Sequence, residues 1–415
     1  MELLPVEVIG NILSHLGAAR DVVIASATCR KWRVAARYHL HTLSFNMDDW
    51  QNYLHLPTED LEVLVTQTIL QTSCLQHLSI CLGSHNEFSA APVIAWLMYT
   101  RESLRFLTYM VQTKPCVNVL ERCGRSKLER LVLVYTCIPT IDPSIQRFPA
   151  LLSLTLSQVI VSSSDLNALL SACPKLETFF LKEPEIHPSV TVSLTSSSLL
   201  AFYMEDVSLE NFTLKADHLE SLFLRNLSIE RFSLKSRNSL HVLKIDSISI
   251  THMDIGEATD LLEVLDVREF EMPWPQFFQM ISGASKLQKL RLWCLRFEGS
   301  EEGMGLETIA VTFPRLNRLA LSYDLAEGLI SQAVQGASLL ENVVSLELGS
   351  TTIDILYAQW IGVVIERCPS LRRVVIHGNP PDIKQEDIQM IGKFTTSIVN
   401  LMRKFPHVEF EFNYS

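Results

Sequence analysis

The stretch LESLFL (Leu219–Leu224), followed by LHVLKI (Leu240–Ile245) and LEVLDV (Leu262–Val267), decides the fold. Each reads apolar-x-x-apolar-x-apolar, and the pattern recurs in both directions. Upstream it returns as LQHLSI from Leu75, LERLVL from Leu128 and LETFFL from Leu176. Downstream it returns as LQKLRL from Leu287, LNRLAL from Leu316, VVSLEL from Val343 and LRRVVI from Leu371. Weaker copies start at Leu40, Leu104, Leu151, Leu199 and Val408. The second half of each copy alternates, which places Leu and Ile on one side of a strand and the residues between them on the other. One such strand cannot bury its apolar side alone, but a stack of them shares a core.

From Leu75 to Leu371 there are twelve intervals across 296 residues, a mean of about 25, within the roughly 20–29 residues of a leucine-rich repeat. The fold class is therefore α/β: a leucine-rich-repeat solenoid, about fourteen repeats over residues 41–382, with a curved parallel sheet. DLNALLSAC before Pro174 and AQWIGVVIERC before Pro369 carry apolar residues at helical spacing, and the prolines end those helices. In the middle the repeats shorten, and VSLENFTL, LSIERFSL and ISITHMDI alternate with period two. The outer side is expected to be helical at both ends and extended in the centre. A helical insertion is expected near 58–72, and residues 383–415 read as a cap of helix and strand.

Composition narrows the function classes. The chain has 415 residues, 47% hydrophobic, with 35 basic against 46 acidic side chains and net charge -11. That apolar share excludes global disorder. No apolar run reaches the ~20 residues of a membrane helix, and Glu2 and Glu7 do not fit a secretory signal. Nine scattered cysteines without C-x-x-C read as reduced thiols, so a cytoplasmic or nuclear location is expected. The acidic total and the lack of a basic tail argue against nucleic acid. H-E-x-x-H, G-x-S-x-G and a phosphate-binding glycine loop are all missing, and GSEEGMG at 299–305 reads as an acidic loop. No catalytic residue, metal site or membrane contact is expected.

Residues 1–40 differ in kind. Pro5 sits at a helix start, with Ile9, Ile12, Leu13 and Leu16 marking one face. Gly17 ends that helix, Asp21 is expected to cap a second through Val22 and Val23, and a third from about Cys29 carries Trp32. So many apolar residues in so small a unit point to a partner's interface.

The run Leu4-Pro5-x-Glu7-Val8-Ile9-x-x-Ile12-Leu13-x-x-Leu16, then Asp21-Val22-Val23, then Thr28-Cys29-Arg30-Lys31-Trp32-Arg33, closely resembles an F-box. An F-box followed by leucine-rich repeats is similar to the plant-type substrate receptors of SCF (Skp–cullin–F-box) ubiquitin ligases. The resemblance implies a Skp-type adaptor as partner, with cullin and RING subunits beyond it, and a protein substrate on the repeats. It also implies that Pro5, Ile9, Ile12, Leu13, Leu16, Val22, Val23, Cys29 and Trp32 match adaptor-facing and core positions. The family's usual Asn after the strand is missing; Leu227 and Thr136 stand in its place.

The repeats add a reading of their own. A middle outward column runs Thr155, Phe180, Tyr203, Phe223, Lys244, Asp266, Arg291, Ala320, Glu347. Phe180, Tyr203 and Phe223 then make an aromatic strip, either a docking patch or a self-stacking ladder. Arg268, Lys289, Arg291 and Arg318 fall in successive repeats beside Trp293. This cluster reads as a receiver of acidic substrate residues or of an inositol-phosphate-like anion, as in related plant hormone receptors, against the alternative of a self-neutralised ladder. The candidate substrate-binding residues are thus Phe180, Tyr203, Phe223, Arg268, Lys289, Arg291, Trp293 and Arg318. A small-molecule-dependent receptor and a Skp-bound scaffold without a ligase role are the alternatives.

Overall fold

Pro5 opens the first helix, α1 (Val6–Leu16), and its carbonyl accepts the Ile9 N–H at 3.2 Å. Gly17 ends it in the left-handed region at φ 68°, donating to Leu13 O at 3.4 Å. The second helix, α2 (Ala19–Thr28), starts earlier than expected: Ala18, not Asp21, flanks it, and no side chain caps it. A tight turn from Leu16 to Ala18 is the reason, held by Ala18 N–H on Leu16 O at 2.7 Å. Asp21 lies in the first helical turn, where its charge favours the positive end of the helix dipole. Cys29, extended at φ −158°, leads into α3 (Arg30–His39). Gly10 lets α1 and α3 meet, because a β-carbon there would fall 2.3 Å from His39 Cβ and 2.6 Å from its carbonyl oxygen.

The computed structural model describes residues 4–123, 127–142, 147–187, 190–236, 239–272, 274–293, 306–323, 338–350, 353–378 and 385–414. The chain divides into two units, Met1–Val207 and Ser208–Ser415. In the first, α3 leads to β1 (Thr42–Asn46), two short 3-10 turns and α4 (Thr58–Leu70), the inserted helix expected there. Next come β2 (His77–Ser89), α5 (Ala90–Thr100), β3 (Phe106–Lys114), α6 (Val119–Arg122), β4 (Arg130–Val134) and β5 (Ser153–Ser157). They are followed by β6 (Ile160–Ser162), α7 (Ser163–Ala172), β7 (Thr178–Lys182), β8 (Glu185–His187), β9 (Thr191–Thr195) and β10 (Ala201–Lys215). The strands lie parallel in the order β1-β2-β3-β4-β5-β7-β10, while β6 pairs with β8. The three-helix unit is joined to the first strand by Ser44 N–H on Gly17 O at 2.8 Å and His41 N–H on Ser14 Oγ at 2.9 Å.

The second unit contains β11 (Ser221–Lys235), β12 (Val242–Asp254), β13 (Val264–Glu271), α8 (Trp274–Ile281), β14 (Lys289–Trp293), α9 (Leu306–Thr312) and β15 (Arg318–Ser322). It continues with β16 (Ser345–Ser350), α10 (Ile355–Glu366), β17 (Arg373–Gly378), α11 (Gln385–Lys404) and β18 (Glu409–Tyr414). These strands are parallel and sequential from β11 to β18. The alternating segments expected at the centre are extended, since they form the second halves of β10, β11 and β12. The helix α11 packs on α10, with Phe394 stacked on Tyr357 at 5.8 Å and Lys404 Nζ 2.5 Å from Glu366. The GSEEGMG segment lies outside the described residues. Parallel strands in repeat order, with helices on the return segments, make this an α/β leucine-rich-repeat solenoid.

The missing Asn has a structural answer. One residue just past the strand motif takes the left-handed conformation in seven consecutive repeats: Tyr135, Gln158, Glu183, Asp206, Asn226, Ser247 and Glu269, with φ between 45° and 56°. None is glycine. In six of the seven this residue turns the chain so that the next one points inward: Val159, Val207, Leu227, Ile248 and Phe270 are all buried. Thr136 is buried in the same way. The place of the usual Asn is thus filled by packing. In the first unit the corners also share backbone bonds: Gln158 N–H to Lys182 O and Glu183 N–H to Glu205 O, both 2.9 Å.

Candidate functional site

The three-helix unit separates its apolar residues into two sets. Ile9 and Leu13 are 0% exposed and Val22 is 2% exposed, so they hold the helices together. A side chain sealed in that interior has no surface to give a rigidly docked partner. Of the nine residues that the resemblance matches to adaptor-facing and core positions, Ile9, Leu13 and Val22 thus belong to the core. Pro5, Ile12, Leu16, Val23 and Cys29 are exposed and Trp32 is half-buried. Leu4, Val8 and Ile24 join this outer set. Val8, Ile12 and Leu16 run down one side of α1, next to the core face carried by Ile9 and Leu13, and Leu4 stands just ahead of the helix.

On the solvent side of the strands, the register brings together the column expected from the sequence. Thr155, Phe180 and Tyr203 are successive partners on β5, β7 and β10. In the second unit Phe223, Lys244, Asp266, Arg291, Ala320 and Glu347 are successive partners from β11 to β16. Phe180 and Tyr203 are half-buried and stacked on each other, 4.0 Å between centroids at 15°. Phe223 carries Lys244 Nζ over its ring at 5.1 Å. These rings meet one another or a cation, and all three residues are half-buried.

The arginine cluster is neutralised by its own repeats. Arg268 donates through Nε to Asp266 Oδ1 at 3.0 Å and through Nη2 to Oδ2 at 3.2 Å. That hydrogen-bonded carboxylate raises the Arg268 pKa, against the opposing effect of burial. Arg291 Nη1 lies 3.8 Å from Asp266 Oδ2, and Nη2 donates to Glu347 Oε2. Between Arg291 and Glu347 stands Ala320, whose small buried side chain lets the guanidinium reach across β15. Glu347 Oε1 is also 3.0 Å from His377 Nε2, a proximity without the alignment of a hydrogen bond. At Arg268 and Arg291 the contacts are those of the self-neutralised alternative, because each faces at least one carboxylate.

Trp293 closes the network. Its ring lies 5.9 Å from the Arg291 guanidinium carbon and meets the His377 ring edge-on at 5.4 Å. Lys289 and Arg318 behave differently from the arginines beside them. They are register partners at the starts of β14 and β15, both exposed, and among the described residues no carboxylate lies within ion-pair distance of either. A comparable network stands in the first unit, where Lys182 Nζ is 3.2 Å from Glu205, 3.8 Å from Glu183 and 3.9 Å from Asp206. Among the described residues no group of three or more His, Cys, Asp or Glu side chains could hold a metal ion.

Two family models match: one for an F-box-like domain over residues 1–43, the other for FBD-associated F-box protein At5g56370, LRR repeats, over residues 102–260. F-box/LRR-repeat protein At1g67190 of Arabidopsis thaliana is 52% identical over 418 residues, covering 100% of both chains. This chain belongs to the F-box/LRR-repeat proteins. F-box protein At1g10780 of the same plant is 23% identical over 312 residues, 72% of each chain. A solved structure titled "Crystal structure of Rad7 and Elc1 complex in yeast" aligns over 95% of this chain and 90% of its own at 12% identity, with a TM-score of 0.30.

For this F-box/LRR-repeat protein, sequence reasoning found the columns and missed the reach of individual side chains. The pairing of Arg291 with Glu347 spans 56 residues and depends on the small Ala320 between them. His377 escaped notice because it is the fifth residue of β17, beyond the columns read from the motif. A signal was present in Gly349, the residue directly after VVSLEL, at the position where the Trp293 ring lies across the sheet.

Proposed function

We propose that this protein is the substrate-receptor subunit of an SCF-type ubiquitin ligase. Its F-box docks on a Skp-type adaptor, and through it on cullin and RING subunits, while the repeats hold a protein to be ubiquitinated. The chain itself performs no chemistry and needs no cofactor. It works by position, holding a substrate close to a charged conjugating enzyme so that transfer becomes effectively intramolecular. We place it in the cytoplasm or nucleus, and assign residues 1–40 to the F-box, 41–382 to the repeats and 383–415 to the terminal cap.

One observation carries the reading. The F-box has a closed core and yet leaves Leu4, Val8, Ile12, Leu16, Val23 and Ile24 between 36% and 55% exposed. An apolar set of that size on a unit of forty residues is what a protein interface leaves behind when its partner is absent. The test is capture of the adaptor by the full chain and by the double variant Ile12→Asp/Leu16→Asp. Adaptor and cullin recovered with the first and lost with the second support the receptor; no adaptor recovered with the unaltered chain overturns it. Phe180, Tyr203, Phe223 and Trp293 are our candidate contacts for the substrate, because each is an aromatic residue of the strands that stays half-exposed.

A further inference from the structure

Along the entry edge of the second unit's strands, charge is distributed in a way the network on their solvent side does not absorb. Lys286 and Lys289 lead into β14, Arg315 and Arg318 into β15, and Arg372 immediately precedes β17. All five are exposed, and among the described residues none has a carboxylate within ion-pair distance. They stand on a chain of net charge -11. The contrast with Arg268 on β13 and Arg291 on β14 is direct: those two face Asp266 and Glu347, while the rim cations face solvent.

From this we infer that the rim is a docking surface for an acidic peptide segment of a protein partner. The inference rests on the receptor reading, for which it names the substrate chemistry. The row spans three strand intervals, β14 to β17, or about 14 Å at ~4.8 Å per strand. An extended peptide covers that length in roughly four to five residues at ~3.3 Å each. The row already holds one carboxylate of its own. Arg373, next to Arg372, grips Glu411 of β18 with Nε to Oε1 at 3.1 Å and Nη2 to Oε2 at 2.5 Å. A planar, two-pronged guanidinium fits a carboxylate in this way, and Arg315, Arg318 and Arg372 offer the same fork. The segments that carry these cations, 286–289, 315–318 and 372–373, contain no aromatic residue to stack a base, so a protein partner is favoured over single-stranded nucleic acid.

The experiment uses the full chain co-produced with its adaptor. Binding is read by fluorescence anisotropy of labelled pentaglutamate, of pentaglutamine and of a short single-stranded oligonucleotide, at low and high salt. The expected result is binding of pentaglutamate alone, weakened by salt and reduced about tenfold by Lys289→Glu/Arg318→Glu. The milder Arg318→Gln should give an intermediate loss, which guards against misfolding of the reversal variant. Equal binding of pentaglutamine, tighter binding of the oligonucleotide, or indifference to the reversal would each overturn the inference. Adaptor recovery is scored in the same preparations. Pentaglutamate bound without adaptor would sink the receptor reading and leave the rim standing; adaptor without pentaglutamate would do the reverse.

Discussion

The indole of Trp293 occupies the space that a side chain at Gly349 would need: a β-carbon there would lie 2.3 Å from both Cζ2 and Cη2 of the ring. Glycine at 349 is therefore what allows Trp293 to lie over the sheet and touch His377. Gly349→Ala should displace the ring and cost about 1–3 kcal/mol as an overpacked contact. Unfolding by denaturant, compared among Gly349→Ala, Trp293→Ala and the double variant, reads the coupling. Simple additivity of the two single effects would contradict the contact.

In the F-box, burial separates two kinds of substitution. Leu13→Ala removes a fully buried side chain and should lower stability by about 2–5 kcal/mol. Ile12→Asp and Leu16→Asp change exposed positions and should leave the melting temperature nearly unchanged while abolishing adaptor capture. Thermal melts run beside the capture assay distinguish them. A large drop in Tm for the Asp variants would mean that these residues serve the fold.

At Gly10 the same logic applies to helix packing. With His39 backbone atoms within 2.9 Å of the place a β-carbon would take, Gly10→Ala must push α1 from α3. Faster hydrogen exchange across residues 6–39, with exchange in the second unit unaltered, is the expected reading. Unchanged protection would show that the helices tolerate the methyl group.

Thiol reactivity should follow burial. Cys173 and Cys368 are buried, and desolvation pushes each thiol up to about 12, so the reactive thiolate is scarce at neutral pH. Cys29 and Cys116 are exposed. Under native conditions iodoacetamide should label Cys29 and Cys116, while Cys173 and Cys368 react only after unfolding. Early labelling of either buried thiol, seen by peptide mass spectrometry, would count against the packing described.

The Arg373–Glu411 pair predicts a pH dependence of definite sign. The hydrogen bond from Arg373 holds the Glu411 carboxyl below its ordinary value of 4.5. A depressed carboxylate contributes above its unfolded pKa, and that contribution is lost as the pH falls through the folded value. NMR titration of selectively labelled glutamate should show the Glu411 midpoint rising towards the ordinary range in Arg373→Gln. An unmoved midpoint would mean that the pair does not persist in solution.

Sequence alone determined the repeat, the strand in each copy and the middle column, because the motif returns at the same phase and parallel strands align like positions. The F-box was equally plain, carried by an ungapped run from Leu4 to Arg33. Which of its apolar residues are core was not plain: Ile12 and Leu13 are adjacent letters of one type, and only the crossing of α1 with α3 at Gly10 buries one and exposes the other. The corners escaped for another reason. Left-handed backbone is usually announced by glycine, yet Tyr135, Gln158 and Glu269 adopt it because the inward residue that follows packs into the core.

Charge was the property left most to tertiary structure. Listing outward cations from the motif says how many there are, whereas pairing depends on the reach of a long side chain over its neighbours. Arg291 passes above Ala320 to Glu347, and Arg268 folds back on Asp266 within its own strand, so both are neutralised. Lys289 and Arg318, one step earlier on their strands, have no such neighbour among the described residues. Periodicity determines where a side chain starts; the sheet decides what lies within its length.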